Sequence, residues 1–224
     1  MSAEADWSWA GPPVDLRPLF PVERAEFTGL LRGLEAADWE RSTVCPGWPV
    51  RDIVAHVLHD YIRKLSGSRD GQAMAGPEPG ETLPVYLDVA REYTEYWVHQ
   101  QQVRDAVGRP GADDERLARP VTDTFLRAVP YTLRDQLAPA GTTVHIRVTG
   151  PGGGDWTARR ASDAWALGSG APDGRPAARV EISSDGLWRV ATRGISVDDA
   201  LRQATISGDQ VLGAAVLHLV SIVR

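Results

Sequence analysis

The apolar residues of this chain change their spacing near Gly141, and this change constrains the fold more than any other feature. Before it, apolar side chains recur at intervals of three and four, as Phe27 and Leu31 do, which is the period of an amphipathic helix. After it, Val144 and Ile146 alternate with polar residues, which is the period of a strand. The sequence therefore predicts an α+β fold, with a helical first part and a small α+β second part.

Helical patterns and helix-ending signals divide the first part into segments. The predicted helices span roughly residues 22–38, 49–65, 85–107 and 120–137. Pro46, Gly47 and Pro49 form a rigid connection into the second helix, whereas residues 66–84 are rich in Gly and Pro and indicate a loop. We accordingly predict an extended lead-in at residues 1–20, a helical unit at 21–138 and an α+β unit at 139–224.

The second part carries turn and capping signals. The glycine-rich run Gly150–Gly154 predicts a hairpin turn, because no Gly-Lys-Ser/Thr follows to make it a phosphate cradle. A further strand is predicted at 178–182, and Ser196 with Asp199 resembles a capping box that opens a short helix. Apolar residues at helical spacing predict a last helix over 211–223.

Composition excludes some classes of function. The formal net charge is −6, so the chain has no general basic footprint for phosphates, and we expect no nucleic-acid partner. No apolar run approaches the ~20 residues that a membrane-spanning helix needs. The single cysteine, Cys45, cannot form an intramolecular disulfide, and the first residues lack a secretory pattern. We therefore expect a soluble protein of the reducing cytoplasm, without a membrane partner.

Two acid–imidazole patterns are candidates for chemistry. Glu95 and His99 lie four positions apart on a predicted helix, so one face presents both to a single ion, and carboxylate and imidazole are common zinc ligands. A third ligand must come from elsewhere. The alternative is a solvated helix face, on which Glu and His often occur at this spacing. The same alternative applies to His56, which shares a helix side with Asp52 and Asp60.

A family resemblance favours the metal interpretation. The segment Thr43–His56 (Thr-Val-Cys-Pro-Gly-Trp-Pro-Val-Arg-Asp-Ile-Val-Ala-His) resembles the signature of the DinB-like, mycothiol-dependent maleylpyruvate isomerase family. The segment Arg91–Arg104 is similar to the second motif of that family. The resemblance implies a bundle of four helices and a metal site formed by His56, Glu95 and His99.

The resemblance extends to the second part and also has a gap. Gly141–Trp156 and Ala204–Asp209 are similar, less sharply, to the sterol-carrier-like domain attached to many members. Members usually have a long stretch with another bundle helix between the two motifs, whereas this chain has only residues 66–84 there. We therefore expect a bundle that is missing one helix, whose exposed core is covered by the 120–137 helix or by a second copy in a homodimer.

The implied function is metal-dependent thiol chemistry. The resemblance implies a divalent cation, most simply zinc, that holds the thiol of mycothiol as a thiolate for transfer to, or isomerisation of, a small electrophilic molecule. Two alternatives stay open. One is a metal-dependent hydrolase that uses bound water. The other is a metal-binding or small-molecule-binding module without catalysis.

Other reactive side chains receive lesser roles. Cys45 lies in the Pro-Gly turn and is interpreted as a packing residue rather than a nucleophile. His59 is the one plausible substitute ligand, because it lies three positions from His56, while His145 and His218 are interpreted as structural or exposed. Basic residues of the second part could reach an anionic substrate if the two units face each other, although no motif selects one: Arg189, Arg193 and Arg202.

Overall fold

The computed structural model describes residues 12–65 and 84–219 and has the predicted α+β class. In its first part the α-helices are α1 (Phe20–Arg32), α2 (Val50–Leu65), α3 (Val85–Val107), α4 (Glu115–Leu126) and the short α5 (Val129–Thr132). The second part contains β1 (Thr143–Thr149), β2 (Gly154–Arg160), β3 (Trp165–Ser169), β4 (Ala178–Ser183), α6 (Ser184–Ala191), α7 (Val197–Gln203), β5 (Thr205–Gly208) and α8 (Gln210–Val216). No helix of the described residues is both long and apolar enough to span a membrane.

Helix ends differ from the predictions where capping groups determine them. Helix α1 ends at Arg32 rather than near residue 38, since Gly33 caps it, and a 3-10 helix follows at Asp38–Glu40. The lead-in lies partly outside the described residues and closes with a 3-10 helix just before α1. Helix α4 begins before Pro120 because the Asp114 side chain accepts hydrogen bonds from the first-turn amides. The single helix predicted over 120–137 is wrong: α4 and α5 are separate.

Helix α3 lies at the centre of the helical part and contacts α1, α2 and α4. One side of α3 faces α1 and α2 in what we call the small core, whose buried residues are Phe27, Leu30, Val50, Ile53, Val57, Tyr96, Val103 and Val107. The opposite side faces α4, where the Tyr93 hydroxyl donates to the carbonyl of Leu117 at 3.1 Å. Helix α4 thus covers a face of α3 within the same chain.

A five-stranded sheet forms the second part, with the order β3-β2-β1-β4-β5. Strands β1 and β4 are parallel and the other pairs antiparallel. The alternating residues Val144, Ile146 and Val148 are all buried, as their spacing predicts, and they pair with the buried alternation of β4. Helices α5, α6 and α8 contact the sheet. Terminal helix α8 ends at Val216, earlier than predicted, and residues 220–224 lie outside the described residues.

The helical part and the sheet share one apolar core, which we call the large core. It includes Trp97 of α3, Phe125 of α4, and Ile146 and Trp156 of the sheet. The predicted hairpin turn between β1 and β2 packs directly on α4, because a Cβ on Gly152 would lie 2.5 Å from the backbone of Ala118. Glycine is therefore required at the point where the sheet meets the helices.

Polar contacts reinforce the same junction. The Arg119 guanidinium lies 4.4 Å from the centre of the Trp156 ring, and the indole N–H of Trp156 donates to Asp123 Oδ1 at 3.2 Å. Farther along α3, Asp105 accepts from Arg189 Nη1 of α6 at 2.7 Å. The two parts consequently meet through specific contacts as well as through apolar burial.

Candidate metal centre

A closed loop sets the start of α2 and so the position of His56. Ser42 and Pro49 form an isolated antiparallel bridge, and Gly47 adopts a positive φ of 79° between them. The Thr43 hydroxyl donates to the carbonyl of Trp48 at 2.7 Å, which closes the loop further. The next residues enter α2 as predicted, and the loop therefore holds the first turn of the helix in place.

The side chain of His56 lies beside the apolar stripe of α2. Ile53 and Val57 are buried in the small core, which fixes the rotation of α2 against α3. This rotation brings His56 Nε2 to 3.3 Å from Oε1 of Glu95 on α3. The His56 ring also lies 5.0 Å, centre to centre, from the ring of His99. The tertiary packing therefore unites residues that are 39 positions or more apart in sequence.

The three side chains converge on one small volume. One potential ligand atom each from His56, Glu95 and His99 lies within 4.8 Å of the others. In a tetrahedral zinc site with bonds of ~2.0–2.2 Å, the ligand atoms lie closer to one another than 4.8 Å. Small side-chain movements would therefore bring the three ligand atoms to the distances that zinc requires. Three protein ligands would leave one position open, which is the pattern of catalytic rather than structural zinc sites.

The ring of His99 is held in a defined state. Its Nδ1 lies 2.8 Å from Oε1 of Gln102, and because an amide oxygen only accepts, Nδ1 carries the hydrogen. The Cys45 thiol donates to the same oxygen at 3.4 Å. His99 Nε2 therefore has a free lone pair, and it is buried without a hydrogen-bond partner. A buried nitrogen in this state needs a partner, and a cation beside His56 and Glu95 fits that need.

Electrostatics around the centre favour a cation. Burial lowers the pKa of His99, although its hydrogen bond to Gln102 and the charge of Glu95 act in the opposite direction. The imidazole is therefore neutral near pH 7, the form that binds metals. Burial likewise lowers the pKa of Arg91, against the charges of Glu95, Asp88 and Asp60, which shows that several carboxylates gather at this end of α3.

The centre opens on the side of α2. The His56 side chain is 31% exposed, whereas His99 is only 4% exposed. Trp48, which is 42% exposed, stands edge-on to His56 with ring centres 5.5 Å apart. A small molecule would therefore approach past His56 and Trp48, with His99 at the closed end.

The other reactive side chains do not join this cluster. His59 is exposed on α2 and is outside the ligand group of the described residues. Burial raises the pKa of the Cys45 thiol, which keeps it protonated and unsuited to nucleophilic attack. His145 is buried and bonds Asp155 at 2.7 Å, and His218 is exposed.

The arginines considered for substrate binding have other surroundings. Arg189 pairs with Asp105 and Asp185, Arg202 pairs with Asp199, and Arg193 is exposed with a positive φ. Sequence reasoning did not select Gln102, whose contact with His99 is the most direct support for the ring's orientation. Its one sequence signal is a position three residues after His99, on the same side of the helix.

Comparison with known proteins gives one family and several distant structures. The family model described as "Mycothiol maleylpyruvate isomerase N-terminal domain" matches residues 20–168. No curated protein sequence matches the chain significantly.

Sterol carrier protein 2 of Yarrowia lipolytica has 13% sequence identity to this chain and a TM-score of 0.33. The match covers 45% of this chain and 92% of the sterol carrier protein. Sterol carrier protein 2 like 2 of Aedes aegypti is 15% identical with a TM-score of 0.34, and covers 47% and 98%. A stereoselective inverting sec-alkylsulfatase from Pseudomonas sp. is 13% identical with a TM-score of 0.33, and covers 94% and 34%. The expected sterol-carrier likeness is thus present, at a similarity too low to carry an argument about function.

Proposed function

Because the chain belongs to the mycothiol maleylpyruvate isomerase N-terminal domain family, we propose that it is a metal-dependent enzyme of mycothiol chemistry. Its reaction would be the isomerisation of a small electrophilic molecule, or the transfer of mycothiol to it. The observation that carries the proposal is the unpartnered, buried Nε2 of His99 next to His56 and Glu95. The proposed ligands of the cation are these three residues.

The donor set suits zinc. Two imidazoles and one carboxylate with an open position are a known catalytic zinc arrangement. When bound, such a cation supplies Lewis-acid chemistry, since it lowers the pKa of a coordinated thiol and keeps it as the reactive thiolate. The carboxylate of Glu95 offsets one of the two positive charges, which leaves a net positive site that favours an anionic sulfur over a neutral thiol.

Each residue of the centre has a distinct task in this proposal. His99 offers its lone pair from the closed end, and His56 offers Nε2 at the open end, where the cosubstrate enters. Trp48 provides an apolar wall beside His56, which excludes water from one side of the reacting atoms. The thiolate of mycothiol would add to one carbon of an activated C=C bond, whose π electrons would move to the neighbouring carbon as a stabilised carbanion. Rotation about the resulting single bond and expulsion of the thiolate would leave an isomerised product, whereas protonation of the carbanion would leave an S-conjugate.

The proposal also defines the assembly and the compartment. All three donors come from one chain, and α4 covers α3 internally, so the site needs no residue from a second copy. We therefore propose that a monomer is sufficient for metal binding, and that a homodimer would serve another purpose. A free thiol cosubstrate persists in a reducing compartment, which agrees with a cytoplasmic location.

Metal content tests the proposed site directly. We expect wild-type protein to bind one divalent cation per chain, measured by elemental analysis after zinc titration and desalting. His56→Ala should weaken binding by more than the ~10- to 100-fold loss typical of changes outside the ligand shell. His59→Ala is the matched control, since His59 is an exposed histidine on the same helix, and it should bind like wild type. Equal losses in the two variants, or no zinc uptake by wild type, would contradict the proposal.

Cosubstrate binding distinguishes the proposed reaction from its alternatives. We expect mycothiol to raise the melting temperature of the zinc-loaded protein, and not of His56→Ala under the same conditions. Consumption of maleylpyruvate should then depend on both zinc and mycothiol. Turnover of ester or amide substrates without thiol would instead indicate a hydrolase. Zinc binding without turnover of any of these substrates would indicate a binding module.

A further inference from the structure

We propose that Gln102 is a positioning residue for the metal centre: its amide oxygen fixes the tautomer and orientation of the His99 ring. This inference rests on the proposed function, because the ring is positioned for a cation. The orientation itself is a property of the metal-free chain. Gln102 bonds Nδ1 of His99 and acts through the ring on the opposite nitrogen, Nε2.

The contacts of Gln102 are short, buried and directed. Oε1 of Gln102 lies 2.8 Å from Nδ1 of His99, and the side chain is 6% exposed. Residues three positions apart on a helix lie on neighbouring faces, so α3 itself aligns the pair. Because this short hydrogen bond is buried, water does not compete for it. It therefore fixes the orientation of the His99 ring more strongly than the same bond would at a surface.

A second donor holds Gln102 from the other side. The Cys45 thiol donates to the same amide oxygen at 3.4 Å, and the Cys45 amide in turn donates to the Thr43 hydroxyl at 3.1 Å. The amide oxygen at this position accepts from both the Cys45 thiol and the Nδ1–H of His99. The turn before α2 is thus connected through Gln102 to His99 on α3. This connection gives Cys45 a structural role that does not need a reactive thiolate.

Loss of the amide oxygen would change the state of His99. Without an acceptor, an N–H at Nδ1 would be buried and unsatisfied, which is costly. With no acceptor left to favour Nδ1–H, the neutral ring would revert to the tautomer that free histidine prefers, in which the hydrogen is on Nε2. That hydrogen would occupy the nitrogen needed for the cation, so binding would require a tautomer change first. Metal-ligating histidines commonly have such an acceptor on the second nitrogen, which keeps the ring in the binding form.

The two preceding residues provide an internal comparison. Gln100, Gln101 and Gln102 are consecutive and buried, yet successive helical positions point about 100° apart. Gln100 donates to Glu23, whereas Gln101 donates to the carbonyl of Gly111 at 3.1 Å. Gln101 therefore matches Gln102 in type, burial and helix, but its amide donates to the carbonyls of Gly111 and Ala112 instead of bonding His99.

Zinc affinity of three variants tests the role. We expect Gln102→Leu to weaken zinc binding by about 10- to 100-fold, the range for loss of a group that orients a ligand. Gln102→Glu keeps an acceptor at the same position and should retain wild-type affinity. Gln101→Leu removes a buried hydrogen bond of the same kind and should also bind like wild type. If Gln102→Leu does not fold, Gln102→Asn withdraws the oxygen while keeping a polar side chain, and it should weaken binding as well.

Nitrogen NMR of the imidazole provides a readout without metal. In the metal-free wild type, His99 should carry its hydrogen on Nδ1, and in Gln102→Leu the Nε2–H tautomer should become the major form. An unchanged tautomer in that variant would overturn the inference, as would equal zinc affinities of Gln101→Leu and Gln102→Leu. If wild-type protein takes up no zinc, the proposed function fails, while the tautomer shift still decides whether Gln102 positions His99.

Discussion

The two sides of α3 differ in what they bury. The large core, on the side of α4 and the sheet, is mainly apolar, and its tryptophans bond carbonyl or carboxylate oxygens through their indole N–H, as Trp97 does with Ala112 at 2.7 Å. Beside the small core lies a carboxyl group, Glu23 of α1, that is 0% exposed and accepts from Gln100 at 2.9 Å. One side of α3 thus packs on a large apolar core, whereas the other side also accommodates a fully buried carboxyl group.

This difference indicates where the chain can carry chemistry. A buried polar group costs stability unless it is hydrogen bonded, so a region with many of them must arrange partners for each. On this side of α3, Glu23 has its partners in Gln100 and Tyr61, and Nδ1 of His99 has its partner in Gln102. His99 Nε2 has no such partner. The large core can supply the stability that these arrangements require.

The largest effect is expected in the large core. Trp156 is 1% exposed, and Trp156→Ala removes its contacts with Arg119 and Asp123 as well as its buried area. We expect a loss of about 3–5 kcal/mol in the free energy of unfolding, measured by urea denaturation. Leu137→Ala, at a 94% exposed position, is the control and should change stability by less than about 0.5 kcal/mol. Similar losses in both variants would show that burial in the large core does not determine the effect.

An intermediate effect that depends on pH is expected at Glu23, beside the small core. Burial raises the pKa of Glu23 to about 7 from its ordinary value of 4.5, against the hydrogen bonds from Gln100 and Tyr61 and the charges of Arg24 and Arg104. The folded state therefore favours the protonated carboxyl. As the pH rises from the pKa of Glu23 in the unfolded chain to its pKa in the folded chain, the free energy of unfolding therefore falls. The total loss is roughly 3 kcal/mol.

Glu23→Gln should remove that dependence. The variant should be more stable than wild type at pH 8 and similar to it at pH 4, as measured by urea denaturation across the pH range. Glu26→Gln is the matched control, because Glu26 is an exposed carboxyl on the same helix. A wild-type stability that rises between pH 5 and pH 7 relative to Glu23→Gln would have the wrong sign and would refute the assignment.

The smallest effect is expected at the ion pair that joins α3 to α6. Asp105 is 46% exposed and binds Arg189, which also pairs with Asp185. Asp105→Ala should therefore cost only about 0.2–1 kcal/mol, and less at high salt. Urea denaturation at low and high ionic strength measures both. A loss as large as that of Trp156→Ala would show that charge, rather than apolar burial, holds the sheet against the helices.

Much of the fold was predictable from local patterns. The spacing of apolar residues predicted α2, α3 and the β1–β2 hairpin, and the capping box of Ser196 and Asp199 is present at the start of α7. Strands β3 and β5 and helix α6 were not predicted, since each spans only four to eight residues. The parallel pairing of β1 with β4 depends on packing between distant segments, which no local pattern encodes.

The candidate centre was predictable for a different reason. Helical spacing placed Glu95 and His99 on one face, but only the family resemblance joined them to His56. Gln102 was missed because a glutamine beside other glutamines is typical of a solvated helix face, and its burial becomes visible only in the tertiary structure. The proposed division into units at residues 138 and 139 stays a prediction, although both sides contribute to the large core.

The close packing of Gly152 against the backbone of Ala118 has a practical consequence for protein engineering. Hairpin tips are normally the places where epitope tags, fluorescent proteins or foreign loops are inserted with little harm. Here, extra residues at Gly150–Gly154 would clash with α4 and push β1 and β2 away from it. Fusion partners therefore belong elsewhere, for example near the highly exposed Leu137.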